Sequence, residues 1–322
     1  MKTLDELKAF YTNELSADLH ALDQKRQQVK RNAIMGVSFV GILAVGAAAF
    51  IVSRGAPSMV FTFALVMGAV IGIIVFTFIS KGYKREFKQK IIGRIVPFIS
   101  PELSYRAEGL IDKHTFKESK LFNHRIDRYR GEDLVSGQVD KTGIAFSEVH
   151  AEYKTSSGSG KNRRTHWRTI FKGLFFIADF NKDFQGQTLV LPDSAEKLFG
   201  GFGQMLQSWN IGRPDLVQLE DPEFEREFVV YGNDQIESRY ILSTSLMRRI
   251  LDFKNKTGTK IYLSFTGSKV YVAIPMTRNM FEPKYFSSLL DFEPILEYYR
   301  DLSLAVGIVD ALNLNTRIWT KE

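Results

Sequence analysis

The chain has no cysteine at all. That excludes disulfides, thiolate metal sites and thiol nucleophiles, and it suits a reducing compartment. Histidine is scarce too: His20, His114, His124, His150 and His166 make up the full set of 5, and they form no H-E-x-x-H or comparable ligand spacing. No G-x-S-x-G elbow surrounds Ser147, and no G-x-G-x-x-G follows a strand-like run. The most consequential absence is of charge. Between Ala33 and Ser53, and again between Gly55 and Ser80, no ionisable residue occurs, and Arg54 alone separates the two runs.

A bilayer core of about 30 Å needs roughly 20 apolar residues of helix to cross it. Both runs are long enough, and neither keeps a polar face, as the helices of soluble domains do. The turn-forming Gly55-Ala56-Pro57 joins them, so the sequence predicts a transmembrane hairpin with spans at 33–53 and 57–80. A cleaved signal peptide is not expected, because charged sequence precedes the first run where a short basic region would stand. Within the spans Ala44 and Ala48, and Gly68 and Gly72, have the small-residue spacing that lets helices approach closely, either within one hairpin or between copies. The lack of intramembrane charge disfavours an ion or proton pathway.

Basic residues crowd the flanks. Lys25, Arg26, Lys30 and Arg31 precede the first span, and Lys81, Lys84, Arg85, Lys88, Lys90 and Arg94 follow the second. The positive-inside rule therefore places both termini in the cytoplasm. The net charge of +7 arises here, because Lys25 to Arg94 carries +10 and leaves −3 for the rest. Anionic lipid headgroups are the expected partner of this basicity, and nucleic acid is not.

The remaining pattern predicts an α+β protein: a cytoplasmic amphipathic helix over 1–32, the hairpin over 33–80, a basic juxtamembrane helix over 81–100, and a cytosolic, mainly antiparallel sheet domain flanked by helices over 101–322. The first helix carries Leu4, Leu7, Tyr11, Leu15, Leu19 and Leu22 on one stripe, to dock on its own chain or on a copy of itself. The basic helix is expected to break at Pro97 and Pro101, and Thr115 to Glu118 reads as a capping box. Strands are expected at 134–139, 144–154, 169–180, 188–191, 216–219, 224–231 and 239–242. Helices are expected from Asp193 to Trp209, at 244–256 ending at Gly258, and at 292–312. Lys260 to Pro275 reads as a hairpin turning at Thr266-Gly267-Ser268.

Several stretches allow chemistry. Lys161, Arg163, Arg164, Trp167 and Arg168 follow a Ser- and Gly-rich loop that lacks phosphate-loop spacing. They form either a solvated strand connection or a contact for lipid headgroups or a phosphorylated ligand. Gly200-Gly201-Phe202-Gly203 is either a helix bend or a close approach to a ligand. Asp127, Glu132, Asp133 and Glu148 are exposed turn charges or a carboxylate group able to hold metal or move protons. No catalytic residue, metal or cofactor follows from any of these patterns.

Taken in order, Phe10-Tyr11, the hairpin, Arg130-Gly131-Glu132-Asp133 with Gly137, Phe146-Ser147-Glu148-Val149, Lys172-Gly173-Leu174-Phe175-Phe176 with Ala178-Asp179-Phe180-Asn181, and Phe224 to Tyr231 leading to Tyr240-Ile241-Leu242 resemble the bacterial family called domain of unknown function 3137. The resemblance implies a membrane-anchored protein and supplies no catalytic residues. The functional expectation is a tethered adaptor, scaffold or sensor with a protein partner or self-association. The alternative is a membrane-tethered enzyme or ligand-binding domain for a phosphorylated or headgroup ligand.

Overall fold

In the computed structural model, the structure describes residues 2–55, 57–157, 164–193 and 215–315. The chain forms two compact units. One comprises Met1–Ile95 with Phe281–Tyr299, the other Val96–Met280 with Arg300–Glu322. The predicted Asp193 to Trp209 helix lies, after its first residue, outside the described residues, as do Lys161, Arg163 and Gly200 to Gly203.

The first unit is helical. Thr3 caps α1 (Leu4–Phe10) in a reciprocal box with Glu6. A π-helical turn, Tyr11–Leu15, leads into α2 (Ser16–Ser53), so the amphipathic helix continues into the first apolar run. After the turn at Gly55, α3 (Ser58–Phe87) returns and is followed by a second π turn, Lys88–Ile92, and α4 (Gly93–Ile99). The expected break at Pro97 does not occur there, since Pro97 lies inside α4 and the helix ends two residues later. A Cβ added at Gly68 would stand 2.6 Å from that of Ala44, so these small residues seat α3 on α2 within one chain. Gly72 faces Val37, and Ala48 is buried.

Residues 281–299 complete this unit. The stripe of Leu7, Phe10, Leu15, Leu19 and Leu22 is buried. Tyr11 packs edge-on against Phe292 at 5.4 Å and donates to the Leu290 carbonyl at 2.6 Å, while Tyr299 donates to the Lys2 carbonyl at 2.6 Å. Arg94 reaches back to Glu14 and Asp18. The segment passes into α9 (Phe292–Val306), within which the chain leaves this unit.

The second unit is built on an antiparallel sheet whose strands run β1-β2-β3-β4-β6-β5, with β7 joined to β4. They are β1 (Leu103–Arg106), β2 (Arg128–Val139), β3 (Thr142–Ser157), β4 (Arg164–Pro192), β5 (Asp215–Leu216), β6 (Phe228–Gly232) and β7 (Tyr262–Pro275). Alternation places Val149, Ala151, Phe171, Phe175 and Ala273 on one core face. There α5 (Lys113–Glu118) inserts Phe116, stacked on Phe122 at 5.4 Å and 4.8 Å from Phe175. The cap of α5 is Asp112, which accepts from the His114 and Thr115 amides, so the helix starts before the predicted Thr115 box and stops at Glu118.

Other local expectations change for identifiable reasons. The runs at 169–180 and 188–191 are parts of β4, which stays extended between them. Phe224 to Tyr231 begins as helix α6 (Pro222–Glu227), because Asp221 caps it and Pro222 takes the first turn, where no amide partner is needed. Arg239 to Leu242 falls within α7 (Gln235–Ile241) and its C-cap, α7 being capped by Asp234. The helix α8 (Thr244–Thr257) ends as expected at Gly258, in the left-handed conformation. Lys260 to Pro275 is not a hairpin. Both halves of β7 pair with β4, and the extra β4 residues between Asp179 and Gln187 are taken up as bulges opposite Gly267. After α9, a short α10 (Ile308–Ala311) replaces the end of the predicted 292–312 helix.

Candidate functional site

Register, not sequence proximity, assembles the most chemically mixed site. Across β2, β3 and β4, Arg130 lies opposite His150 and His150 opposite Lys172, while Glu132 lies opposite Glu148. Residues two apart on a strand share a face, so a row of basic residue types and a pair of glutamates stand side by side. Between them, on the other face, run Gly131, Val149 and Gly173. A Cβ at Gly131 would lie 2.1 Å from the Glu148 carbonyl oxygen, and one at Gly173 2.1 Å from that of Ile274, so only glycine permits this strand spacing. Three stretches that carry the family resemblance thus converge on a cavity of about 300 Å³, which Arg278 and Asn279 also line.

A bulge completes the acidic side. The register slips between Glu132 and Val135, and Asp133 takes a positive φ of 64°, an irregularity of the kind that re-aims a side chain. Oxygen atoms of Glu132, Asp133 and Glu148 then lie within 4.8 Å of one another. This is the donor type that hard cations take. Protein donors already engage it: the Tyr105 hydroxyl donates to Asp133 and the Met280 amide to Glu148. Asp127 stands apart from this group, accepting from the Lys154 amide and pairing with Arg125.

The cations are held as well. Arg130 donates to Glu152 at 2.7 Å, and Arg278 forms a bidentate pair with Asp301 at 2.5 and 2.8 Å. Burial holds the His150 imidazole below its ordinary pKa against the pull of Glu152, which favours the neutral ring at pH 7. For Glu152, burial acts upward, but Arg130, His150 and Arg128 outweigh it and keep the carboxyl ionised.

A larger open groove of about 790 Å³ is lined by His114, Lys117, Lys120, His124, Arg125 and Lys269, with Glu118 beside His114 and with Phe122 and Tyr271 as its apolar floor. Its positive character comes from α5, the loop after it and the Gly267 bend of β7. Those segments lie far apart in the chain, so composition alone did not reveal it.

Arg164, Trp167 and Arg168 are exposed at the far end of the β3–β4 pair and line neither cavity. The Arg128 guanidinium covers the Trp167 ring at 3.8 Å. The basic residues that flank the two apolar runs divide. Lys30, Arg31, Lys81 and Arg85 lie beside the apolar runs, and Lys25 pairs with Glu86 at 2.5 Å. Arg26 and Lys88, only 7% and 2% exposed, turn inward, and Lys84 joins Lys88 on Glu282 at 2.7 and 3.4 Å. Arg26 pairs with Asp23 and donates to the Tyr285 carbonyl, while Asp23 accepts from the Leu289 amide. No local pattern in the sequence signalled that these cations serve a segment more than 190 residues away.

Residues 169–314 match the model of the family described as Protein of unknown function (DUF3137), the family that the sequence resembles. No curated protein matches the chain. Among solved structures, the crystal structure of the mycobacterial trehalose monomycolate transport factor A, TtfA, is similar at 11% identity and a TM-score of 0.31, covering 69% of this chain and 96% of that one.

Proposed function

We propose that this chain is a bacterial inner-membrane protein with two spans and both termini in the cytoplasm, whose sheet unit is a binding module of adaptor or sensor type. The observation that carries the reading is bare apolar surface: both long runs are helical, and Met59 and Phe78 are 80% and 84% exposed. In water such a surface would drive association; in a bilayer it needs no cover. The basic flanks, against the lone Arg54 of the turn, supply the orientation.

For the module, the cationic groove supports recognition of an acidic protein surface by charge complementarity. Catalysis has less support, because protein donors already engage Glu148 of the mixed-charge cavity and Asp133 beside it. The test is cross-linking and capture of the full chain from its own membranes, beside a variant with Lys117, Lys120 and Lys269 reversed to glutamate. A stoichiometric partner lost on reversal is the expected result. A partner retained by the variant refutes the groove, and capture of none refutes the adaptor. A reporter at Glu322 is expected to read cytoplasmic, and an exterior signal there overturns the orientation.

A ligand-binding reading draws on the exposed Arg164 and Arg168. It requires the full chain to bind a soluble phosphorylated headgroup such as glycerol phosphate, and to lose that binding when both arginines become glutamate.

A further inference from the structure

The segment 281–291 is irregular, yet it is tied to both long helices of its unit. Arg26 donates to the Tyr285 carbonyl at 3.1 Å and Asp23 accepts from the Leu289 amide at 3.0 Å, fixing the segment to α2. Glu282 receives Lys84 and Lys88 of the α3 side. These ties set the position of the segment's tip, Tyr285-Phe286. The Tyr285 ring meets Tyr83 at 5.6 Å and, edge-on, Phe76 at 5.3 Å. Phe76 belongs to the second apolar run. It stands five residues before Lys81, about 7.5 Å of helix toward the bilayer side of that basic flank.

Phe286 is the next residue, and it is 70% exposed. Lys30, three residues before the first apolar run, has its ammonium 5.9 Å from the Phe286 ring centroid. A phenyl ring held open beside the start of one span, next to a tyrosine packed on the end of the other, continues the apolar belt laterally. Aromatic rings at that level occupy the boundary between headgroups and acyl chains, where a lysine can reach back to phosphate.

We propose that Tyr285-Phe286 is an interfacial membrane anchor: a tip from the C-terminal part of the chain that inserts Phe286 into the headgroup–acyl boundary of the leaflet on the Lys30 and Lys81 side. The occupant of this surface is lipid. The inference rests on the reading of the two apolar runs as membrane spans.

The absence of native cysteine makes the test direct. Phe286→Cys, Phe78→Cys and Ile236→Cys are each spin-labelled in the full chain, reconstituted in phosphatidylcholine–phosphatidylglycerol vesicles. Collision with oxygen, which concentrates in lipid, is compared with collision with a water-soluble nickel chelate. Phe78 reports the span, and Ile236, 82% exposed in the sheet unit, reports water.

The expected oxygen-to-nickel ratio at position 286 exceeds that at 236 by about threefold or more, as for a group at the interface level of the span end that Phe78 marks. A lipid-like ratio at 78 with a water-like one at 286 overturns the anchor and leaves the spans standing. Water-like ratios at both overturn the spans and the anchor together. Ser287→Cys repeats the measurement one residue on, so a local disturbance from replacing the phenyl ring does not decide the outcome.

Discussion

Removing the carboxylate of Asp23 is expected to release residues 281–291 from α2. The side chains of Asp23 and Arg26 are 6% and 8% exposed and 2.8 Å apart, so the pair is sealed from water. Burial by itself would raise the Asp23 pKa. Hydrogen bonds from Arg26, the Leu289 amide and Gln27 overcome that and hold it at about 2, against an ordinary 3.8. A shift of that size corresponds to about 2 kcal/mol favouring the ionised, folded form. Because the folded value is depressed, this contribution is complete above pH 3.8 and is lost as the pH falls through 2.

Asp23→Ala does more than remove that contribution, since it strands the Arg26 guanidinium in a buried site. Breaking a buried pair from one side costs about 3 to 5 kcal/mol. Even the lower figure is roughly a hundredfold in the opening equilibrium. The assay is amide hydrogen exchange of the full chain in detergent micelles, following peptides that cover 281–291. Wild type is expected to exchange slowly there at neutral pH and Asp23→Ala about a hundredfold faster, with Asp23→Asn between them because its amide oxygen still accepts from Leu289. Replacing both Asp23 and Arg26 by leucine removes the stranded charge but also both ties to the segment, so exchange there is expected to stay faster than in wild type. Exchange in Asp23→Ala within about threefold of wild type would refute the reasoning that this pair clamps the segment.

Two further outcomes follow from close contacts. Gly68→Val should weaken the α2–α3 pairing by about 1 to 3 kcal/mol, because the added Cβ meets Ala44 at 2.6 Å. Gly46→Val, which meets nothing within 4 Å, is its control in a dodecyl sulfate titration of helicity. Equal sensitivity of the two would remove the packing role of Gly68. In the sheet, Gly131→Ala and Gly173→Ala each drive a Cβ to 2.1 Å from a neighbouring strand's carbonyl oxygen, whereas Gly143→Ala has open space. The first two should cost about 3 kcal/mol or more, roughly 10 °C in the near-ultraviolet melting temperature, and the third should melt like wild type.

What could be read in the sequence was what depends on neighbours in the chain. The two apolar runs declare themselves by length, and Gly258 marks the end of its helix because one residue decides that cap. Pro222 and the aspartate caps Asp221 and Asp234 were outweighed by aromatic and β-branched neighbours, so two short helices read as strands. The Gly267 turn read as a hairpin because a sequence does not show that a longer strand lies alongside to pair with both halves. The mixed-charge cavity escaped for the same reason. Arg130, Glu148 and Lys172 become neighbours only through strand register, and Asp133 joins them only through a bulge.

The helical unit is also split in the chain, and that orders its biogenesis. Asp23 and its Leu289 partner are 266 residues apart. At about 5 to 20 residues per second of synthesis, the apolar hairpin emerges many seconds before residues 281–299 exist. Until then Tyr11, Asp23 and Arg26 lack the partners that residues 281–299 supply. This interval is when a chaperone or an insertase would be needed. The same dependence bears on expression: removing residues 1–100, to leave the C-terminal part alone, strands Leu289, Ile295 and Tyr298, which are buried in the intact chain, without the helices that complete their unit.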